Sequence, residues 1–438
     1  MNDDLDTLVH DHVDVLSQRY SAALEACGFG AVIVLAGPQR FPARDDQAYA
    51  FRPDPYFTQW LPLADATDSA IELVPGRKPR LLHVRDSDFW HEPAADLDEP
   101  WARRFEVDVV TRNELAERLG RSPASTAIIG RSTGRAAGSA NDPALLARLD
   151  YGRAIKTAYE IACMTDANAI AARGHAAVAA AFSEGLAEFD LHLRYAGATR
   201  QAETELPYPA IIGVNEHAAT LHYQNRRRTR PRDLRSLLID AGATVRGYAA
   251  DVSRTYTRQA GPFAELIEAV ESLQQTLCRE TRAGVDFVEL NERAHVLVAE
   301  ALVAHELLTC SPDEAYETGI TTAFLPHGLG HLLGVQVHDV GGHLADPTGA
   351  TRPPPSRHPY LRLTRRLEPG FVVTIEPGVY FIPSLLDALR GRARTAVNWL
   401  RVEALVPFGG IRIEDDVLVE SAGAHNLTRA AFGAAVTR

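Results

Sequence analysis

Four stretches of this 438-residue chain carry side chains suited to holding cations. In SLLIDAGATVRGYAADVSRTYT (Ser236–Thr257) an apolar strand ends on Asp240. Asp251, Ser253, Thr255 and Thr257 then alternate with Val252, Arg254 and Tyr256 at strand periodicity. Strands turning at Val245-Arg246-Gly247 would set Asp240 and Asp251 opposite one another on one face. Two carboxylates so placed repel unless a cation lies between them; a hairpin bearing two solvated aspartates is the other reading. In PHGLGHLLGVQVHDVGGH (Pro326–His343), His327, His331, His338 and His343 stand among glycines. Imidazole is a common metal ligand, and glycine lets the backbone crowd close to one. VVTIEPGVY (Val372–Tyr380) brings a strand onto Glu376, and GGIRIEDDVLV (Gly409–Val419) puts Arg412 beside Glu414 on one strand face. Each glutamate taken singly also fits an exposed strand.

Asp240, Asp251, His331, Glu376 and Glu414 together make four carboxylates and one imidazole. Two unit charges about 4 Å apart repel by roughly 4 kcal/mol at an effective dielectric of about 20. All the carboxylate pairs together would reach on the order of 20 kcal/mol, beyond the stability of a whole domain. If the four acids converge, two divalent cations must balance them or several must be protonated. A donor set rich in oxygen, with one nitrogen and no thiolate, suits manganese, cobalt, iron or zinc better than it suits a structural zinc. Spacing alone does not bring the five residues together.

The stretches LIDAGATVRGYAADVSRTY, PHGLGHLLGVQVHDVGG, TIEPGVYF and FGGIRIEDDVLV, in that order, resemble the metal motifs of the pita-bread metallopeptidases. FRPDPYFTQWLP, DSDFWH, NWLRVEALVPFGG and the helix around KTAYEIACM extend the likeness over nearly the whole chain. They are similar to the bacterial Xaa-Pro dipeptidase (prolidase) branch, including its organophosphorus acid anhydrolases. The resemblance implies that Asp240 binds one divalent metal, that His331 and Glu376 bind a second, and that Asp251 and Glu414 bridge both. Manganese is the expected ion, with cobalt, zinc or iron as alternatives. The resemblance also implies a substrate pocket containing His222, His327, His338, Arg412 and Tyr208.

The implied reaction is hydrolysis of Xaa-Pro dipeptides by a hydroxide bridging the metals. Glu376 would pass the proton, His338 would steady the carbonyl oxygen, and Arg412 and His222 would hold the proline carboxylate. A side activity on organophosphate triesters belongs to the same expectation. Asp45 and Trp90 fall in N-terminal stretches that, in this family, reach across a homodimer to a neighbour's site. Aminopeptidase P, which cuts the Xaa-Pro bond of longer peptides, shares all five ligands, but the wording of HGLGH and NWLRVEAL favours the dipeptidase. A pita-bread protein reduced to a binding module would lack ligands, and none is missing.

Two domains must position these residues. Residues 1–155 alternate helical and strand patterns: helix over Leu5–Cys27, strands at Ala31–Leu35, Ala70–Val74, Arg80–Val84, Val107–Val110 and Ala127–Gly130. That is a layered α/β domain, creatinase-like by the resemblance. From 156 to 438 the texture is helices plus mainly antiparallel strands, an α+β domain that the resemblance identifies with the pita-bread fold. Helical stretches there are Ile155–Gly185, Glu265–Cys278 and Glu289–Leu307. The run RRRTRPRDLR (Arg226–Arg235) reads as a solvated connection broken by Pro231, or as an anion or partner surface.

Composition bounds the function. With 46% hydrophobic residues the chain can build a sizeable core, and its net charge of −12 argues against a nucleic-acid-binding surface. Its four widely spaced cysteines form no disulfide framework. The N-terminus lacks the basic and apolar regions of a secretory signal, and no run approaches the roughly 18 apolar residues of a membrane span. A cytoplasmic, soluble protein is expected.

Overall fold

Apolar runs without alternation make strands buried on both faces, and AVIVL is such a run. In the computed structural model, which describes residues 3–86, 89–90, 97–131 and 138–436, it forms β1 (Ala31–Leu35), with Val32 to Leu35 buried. It lies inside a mixed sheet with β2 (Ala70–Leu73), β3 (Arg80–Val84), β4 (Glu106–Val110), β5 (Thr126–Ile129) and β6 (Ser139–Ala140), in the order β4-β3-β2-β1-β5-β6. β1 is antiparallel to β2 and parallel to β5. Helices Asp3–Cys27, Arg112–Arg121 and Pro143–Arg153 accompany the sheet. Thr111 and Glu114 start the second with a reciprocal capping box. Of the stretch DSDFWH, Ser87, Asp88 and His91 lie outside the described residues.

The chain divides into two compact units. The first comprises residues 1–163, 246–248 and 344–350; the second comprises 164–245, 249–343 and 351–438. In the second, β7 (Ile211–Val214) and β8 (Ser236–Asp240) run antiparallel. Short β9 (Thr244–Val245) and β10 (Tyr248–Ala249) flank a turn that returns the chain as β11 (Ser253–Thr257) on the other edge of β8. Further along come β12 (Val372–Ile375), β13 (Gly378–Tyr380), β14 (Gly410–Arg412), β15 (Asp415–Glu420) and β16 (Gly423–Asn426). β12 pairs with β15, β13 with β14 and β15 with β16, all antiparallel.

Packing fixes β8. Helices Ala158–Phe182 and Glu188–Thr199 set Val178, Phe182, Leu191 and Tyr195 in one core with Ile212, Val214, Leu237 and Ile239. Truncating a core side chain such as Ile239 to alanine typically destabilises by about 2–5 kcal/mol, so the strand ending on Asp240 is firmly seated. Helices Pro262–Glu280 and Phe287–Ala304 act through buried amides. Gln274 Nε2 donates to Ile375 O at 3.2 Å, and Asn291 Oδ1 accepts from Leu329 N at 2.9 Å. Two helices thus steady the segments carrying Glu376 and His331.

One expectation is corrected. Asp240 and Asp251 are not opposite: Asp240 pairs with Ser253. Arg246 and Gly247 both have positive φ, 52° and 87°, as a two-residue type I′ turn requires. The turn centre therefore sits one residue later than expected, and the register shifts by two. Ala241 N donates to Val252 O and Ala250 N to Ala243 O on that register. An even shift preserves the face, so Asp251 stays on the side of Asp240 but beyond the end of β11.

Candidate metal centre

Asp240, Ser253 and Glu414 come side by side across the strands. Ser253 pairs with Asp240 on β8, and an isolated bridge joins it to Glu414. Ser253 Oγ donates to Glu414 Oε2 at 2.6 Å. His331 arrives along β12: its N donates to Thr374 Oγ1 at 3.1 Å, and Thr374 N donates to His331 O at 3.0 Å. Glu376 N donates to Leu329 O at 2.8 Å, so Glu376 and His331 are held by one pair of extended segments. The closeness needs glycine, since a Cβ on Gly330 would stand 1.9 Å from Thr374 O.

Three of the five expected ligands converge fully. One ligand atom each of Asp251, His331 and Glu414 lies within 4.8 Å of the others, and all three side chains are buried. Glu376 adjoins through His331, with Oε1 3.8 Å from Nε2, and Asp251 Oδ2 lies 3.5 Å from the same nitrogen. His331 Nδ1 lies 3.0 Å from Leu332 O, which only accepts. Nδ1 therefore carries the hydrogen, and Nε2 is turned towards the carboxylates. Such outer hydrogen bonds orient metal-binding imidazoles. Asp240 adjoins through Arg412, whose Nη2 donates to Oδ2 at 2.6 Å. Asp240 Oδ1 is buried without a hydrogen-bond partner.

Electrostatics shows a site short of positive charge. Burial pushes the Glu376 carboxyl up to about 7 against the pull of His331 and Arg412. Burial, then Asp251, Glu376 and Asp240, raise Glu414. Burial raises Asp240 despite Arg412. Asp251 alone is lowered: burial raises it, but His331, Tyr208 and His338 together outweigh that burial. Four carboxylates, three buried and Glu376 half-buried, facing one imidazole and one guanidinium cannot all ionise unaided. Together with the orphaned Asp240 oxygen, this donor set fits divalent cations.

The pocket histidines and tyrosine surround this group. Tyr208 OH donates to Asp251 Oδ1 at 2.5 Å. The rings of His331 and His338 meet edge to face at 4.4 Å. His338 is lowered to about 4 by burial and then by His331 and Arg362. His327 is lowered to about 4 by burial and Arg412; its Nδ1 lies 3.7 Å from Glu376 Oε2. His222 is exposed, and it is among the groups that lower His327 and His338. His343 is turned to Leu361 O at 2.8 Å, away from a ligand role. Asp45 and Trp90 are exposed residues of the first unit.

Sequence reading missed three contributors. Ser253 bridges Glu414 and Arg412, whose Nε donates to its Oγ at 3.0 Å. Tyr380 OH accepts from Arg412 Nη1 at 2.9 Å and lies 2.8 Å from His327 Nε2. Arg362, exposed, acts on His338. Ser253 shares the strand face of Asp251 and Thr255, and Tyr380 closes EPGVY; those placements were the available signals.

The sequence model described as metallopeptidase family M24 matches residues 162–421, a span holding every pocket and ligand residue from Tyr208 to Glu414. The chain belongs to metallopeptidase family M24. A second model, the Xaa-Pro dipeptidase N-terminal domain, matches residues 7–151. The M24 chain is 44% identical over 436 residues to the Xaa-Pro dipeptidase of Xanthomonas oryzae pv. oryzae, covering 98% of this chain and 99% of that one. It is 43% identical over 434 residues to the Xaa-Pro dipeptidase of Stenotrophomonas maltophilia, covering 98% of each. Its place is thus with the Xaa-Pro dipeptidases of M24. Aminopeptidase P of Escherichia coli with the inhibitor Pro-Leu superposes with a TM-score of 0.74 at 23% identity, covering 98% of this chain and 99% of that one. That likeness is one of fold: an α/β N-terminal domain followed by the α+β pita-bread domain.

Proposed function

We propose that this chain hydrolyses Xaa-Pro dipeptides, using two divalent cations held by Asp240, Asp251, His331, Glu376 and Glu414. The observation that carries the reading is the buried convergence of Asp251, His331 and Glu414, flanked by Glu376 and Asp240 with too little positive charge. Divalent cations bound there lower the pKa of water and polarise a carbonyl. Manganese is the ion we expect, with cobalt, zinc or iron as alternatives.

The side chains divide the remaining work. Glu376, with its carboxyl pushed up to about 7, takes and passes a proton at a carboxylate oxygen. His338, kept neutral near pH 7, donates an N–H towards the carbonyl oxygen as negative charge develops there. Tyr208 and His327 line the pocket. We keep Arg412 and His222 as contacts for the proline carboxylate, and one observation enlarges the clamp. Arg412 Nε, Nη1 and Nη2 are each engaged by Ser253, Tyr380 and Asp240. Arg362 is exposed and its charge acts on His338, so it supplies the more available guanidinium for a bidentate carboxylate contact. A clamp on the free carboxylate rejects longer peptides, in which that charge is gone.

Gly-Pro and Gly-Pro-Gly, assayed side by side with added manganese, test the reading. Cleavage of the dipeptide alone supports it. Equal kcat/KM on the tripeptide favours an aminopeptidase of the P type instead. The same proposal includes a domain division at residue 155, a cytoplasmic homodimer whose Asp45 and Trp90 approach the neighbour's site, and slow hydrolysis of organophosphate triesters. No helix among the described residues is long and apolar enough to cross a membrane.

A further inference from the structure

Asp251 lies past the end of β11, so its N–H has no place in the ladder with β8. That hydrogen goes to Asp416 Oδ2, at 3.1 Å. Asp416 sits on β15 and is fully buried. The same oxygen accepts from Asn168 Nδ2 at 2.7 Å. Asn168, fully buried on the helix Ala158–Phe182, accepts at its Oδ1 from Thr428 Oγ1 at 2.6 Å. Thr428 Oγ1 in turn accepts from Asp416 N at 2.9 Å. Thr428 lies on the helix Leu427–Val436, so the three side chains close a ring that ties two helices and a strand to the Asp251 peptide.

A ring with a scaffolding task alone would be served by neutral groups, yet this one is centred on a carboxylate. Its neighbour Asp415 is neutralised in the ordinary way, by Arg254 and Arg429, each at 2.7 Å. Asp416 pairs with no arginine, lysine or histidine among the described residues, and its Oδ1 is buried without a hydrogen-bond partner. Asp416 instead reaches the frames of two expected ligands, Asp251 and His331, and accepts the Asp251 N–H directly. Asp416 also touches the frame of the second of these ligands. Across the sheet it pairs with Thr374, whose Oγ1 accepts His331 N.

We infer that Asp416, seated by Asn168 and Thr428, is a positioning residue of the metal centre. It fixes the Asp251 peptide so that the Asp251 carboxylate meets His331 and Glu414. The inference rests on the metal-centre reading given above.

Manganese binding isotherms for the wild type, Asp416→Ala, Asn168→Ala and the double variant test it, with the melting temperature of each metal-free protein recorded alongside. Asp416→Ala removes the acceptor of the Asp251 N–H, and Asn168→Ala leaves Asp416 itself in place, so the two substitutions give independent readings. Each single variant is expected to bind manganese about 10–100-fold more weakly. The double variant should be scarcely weaker than the worse single one, because both act through one chain of contacts. Lower melting temperatures with unchanged manganese affinity would make the ring a scaffold only and overturn the inference. A wild type that takes up no stoichiometric manganese would instead remove the metal reading itself, and the two failures are separate.

Discussion

Arg412 Nη2 donates to Asp240 Oδ2 across 2.6 Å, with both side chains buried, while the other Asp240 oxygen has no partner. Among the described residues, the guanidinium is the one positive group paired with this carboxylate. Removing one member of a buried ion pair typically destabilises by about 3–5 kcal/mol, because the other charge stays behind. Arg412→Ala is therefore expected to lower the melting temperature of the metal-free protein and to depress kcat. Arg362→Ala should raise KM for Gly-Pro about tenfold, the loss of one charge-assisted contact, with metal content and kcat unchanged. An unchanged KM in Arg362→Ala would return the carboxylate clamp to Arg412 and His222.

Tyr380 fixes a proton. Arg412 Nη1 can only donate, so the Tyr380 oxygen accepts there and its own hydrogen points to His327 Nε2. His327 then carries its hydrogen on Nδ1, 2.8 Å from Gly328 O. Nitrogen NMR of labelled histidine should report that tautomer in the wild type and a mixture in Tyr380→Phe. The variant should lose about 10–100-fold in kcat/KM, the worth of a hydrogen bond to a charged group. A wild-type His327 protonated on Nε2 would contradict this ordering.

Cation binding should expel protons. Burial pushes Glu376 up to about 7 and raises Glu414 as well, and a carboxylate must be ionised to hold a cation. Manganese affinity should therefore rise with pH through 7, by about tenfold per pH unit for each proton released. Calorimetry at pH 6.5 in two buffers of different ionisation enthalpy reads the number directly. Identical heats in both buffers would mean that the acids were already ionised.

The sequence was most informative where burial and chemistry coincide. AVIVL, buried from Val32 on, and SLLID, buried throughout, were recognisable as strands from their apolar runs. Glu414, Asp415 and Asp416 show the opposite. Three consecutive acids suggest a solvated face, yet all three are buried. Glu414 is met by Ser253, 161 positions away; Asp415 by Arg254, also 161 away; and Asp416 by Asn168, 248 away. No local pattern encodes such distant partners. The hairpin register was hidden for a different reason: Arg246 takes up a left-handed conformation that asparagine or glycine would have signalled. The Arg226–Arg235 run is an irregular connection, as one reading had it, pinned by Arg227 N on Glu188 and by Arg228 stacked over Phe189.

Two buried histidines set an acid limit on stability. Burial holds His175 near 3 although Ala241 O faces its ring, and it does the same to His295. Between about pH 3 and 6.5 the unfolded chain binds a proton at each site that the folded chain refuses. Their contribution is therefore complete above about 6.5 and declines as the pH falls, by about 1.4 kcal/mol per unit for each histidine. Urea unfolding at pH 7.5 and 5.5 should show a smaller acid loss in His175→Asn than in the wild type. Equal losses would mean that His175 is protonated in the fold.

The central claim is that five side chains enclose a pair of divalent ions, and anomalous diffraction from crystals grown with manganese addresses it most directly. Two peaks are expected, both ligated by Asp251 and Glu414, one also by Asp240 and the other by His331 and Glu376. Chelation should abolish Gly-Pro hydrolysis, and returned manganese should restore it. Density lacking any peak beside Asp251, His331 and Glu414, in a protein that still cleaves Gly-Pro after chelation, would contradict the account.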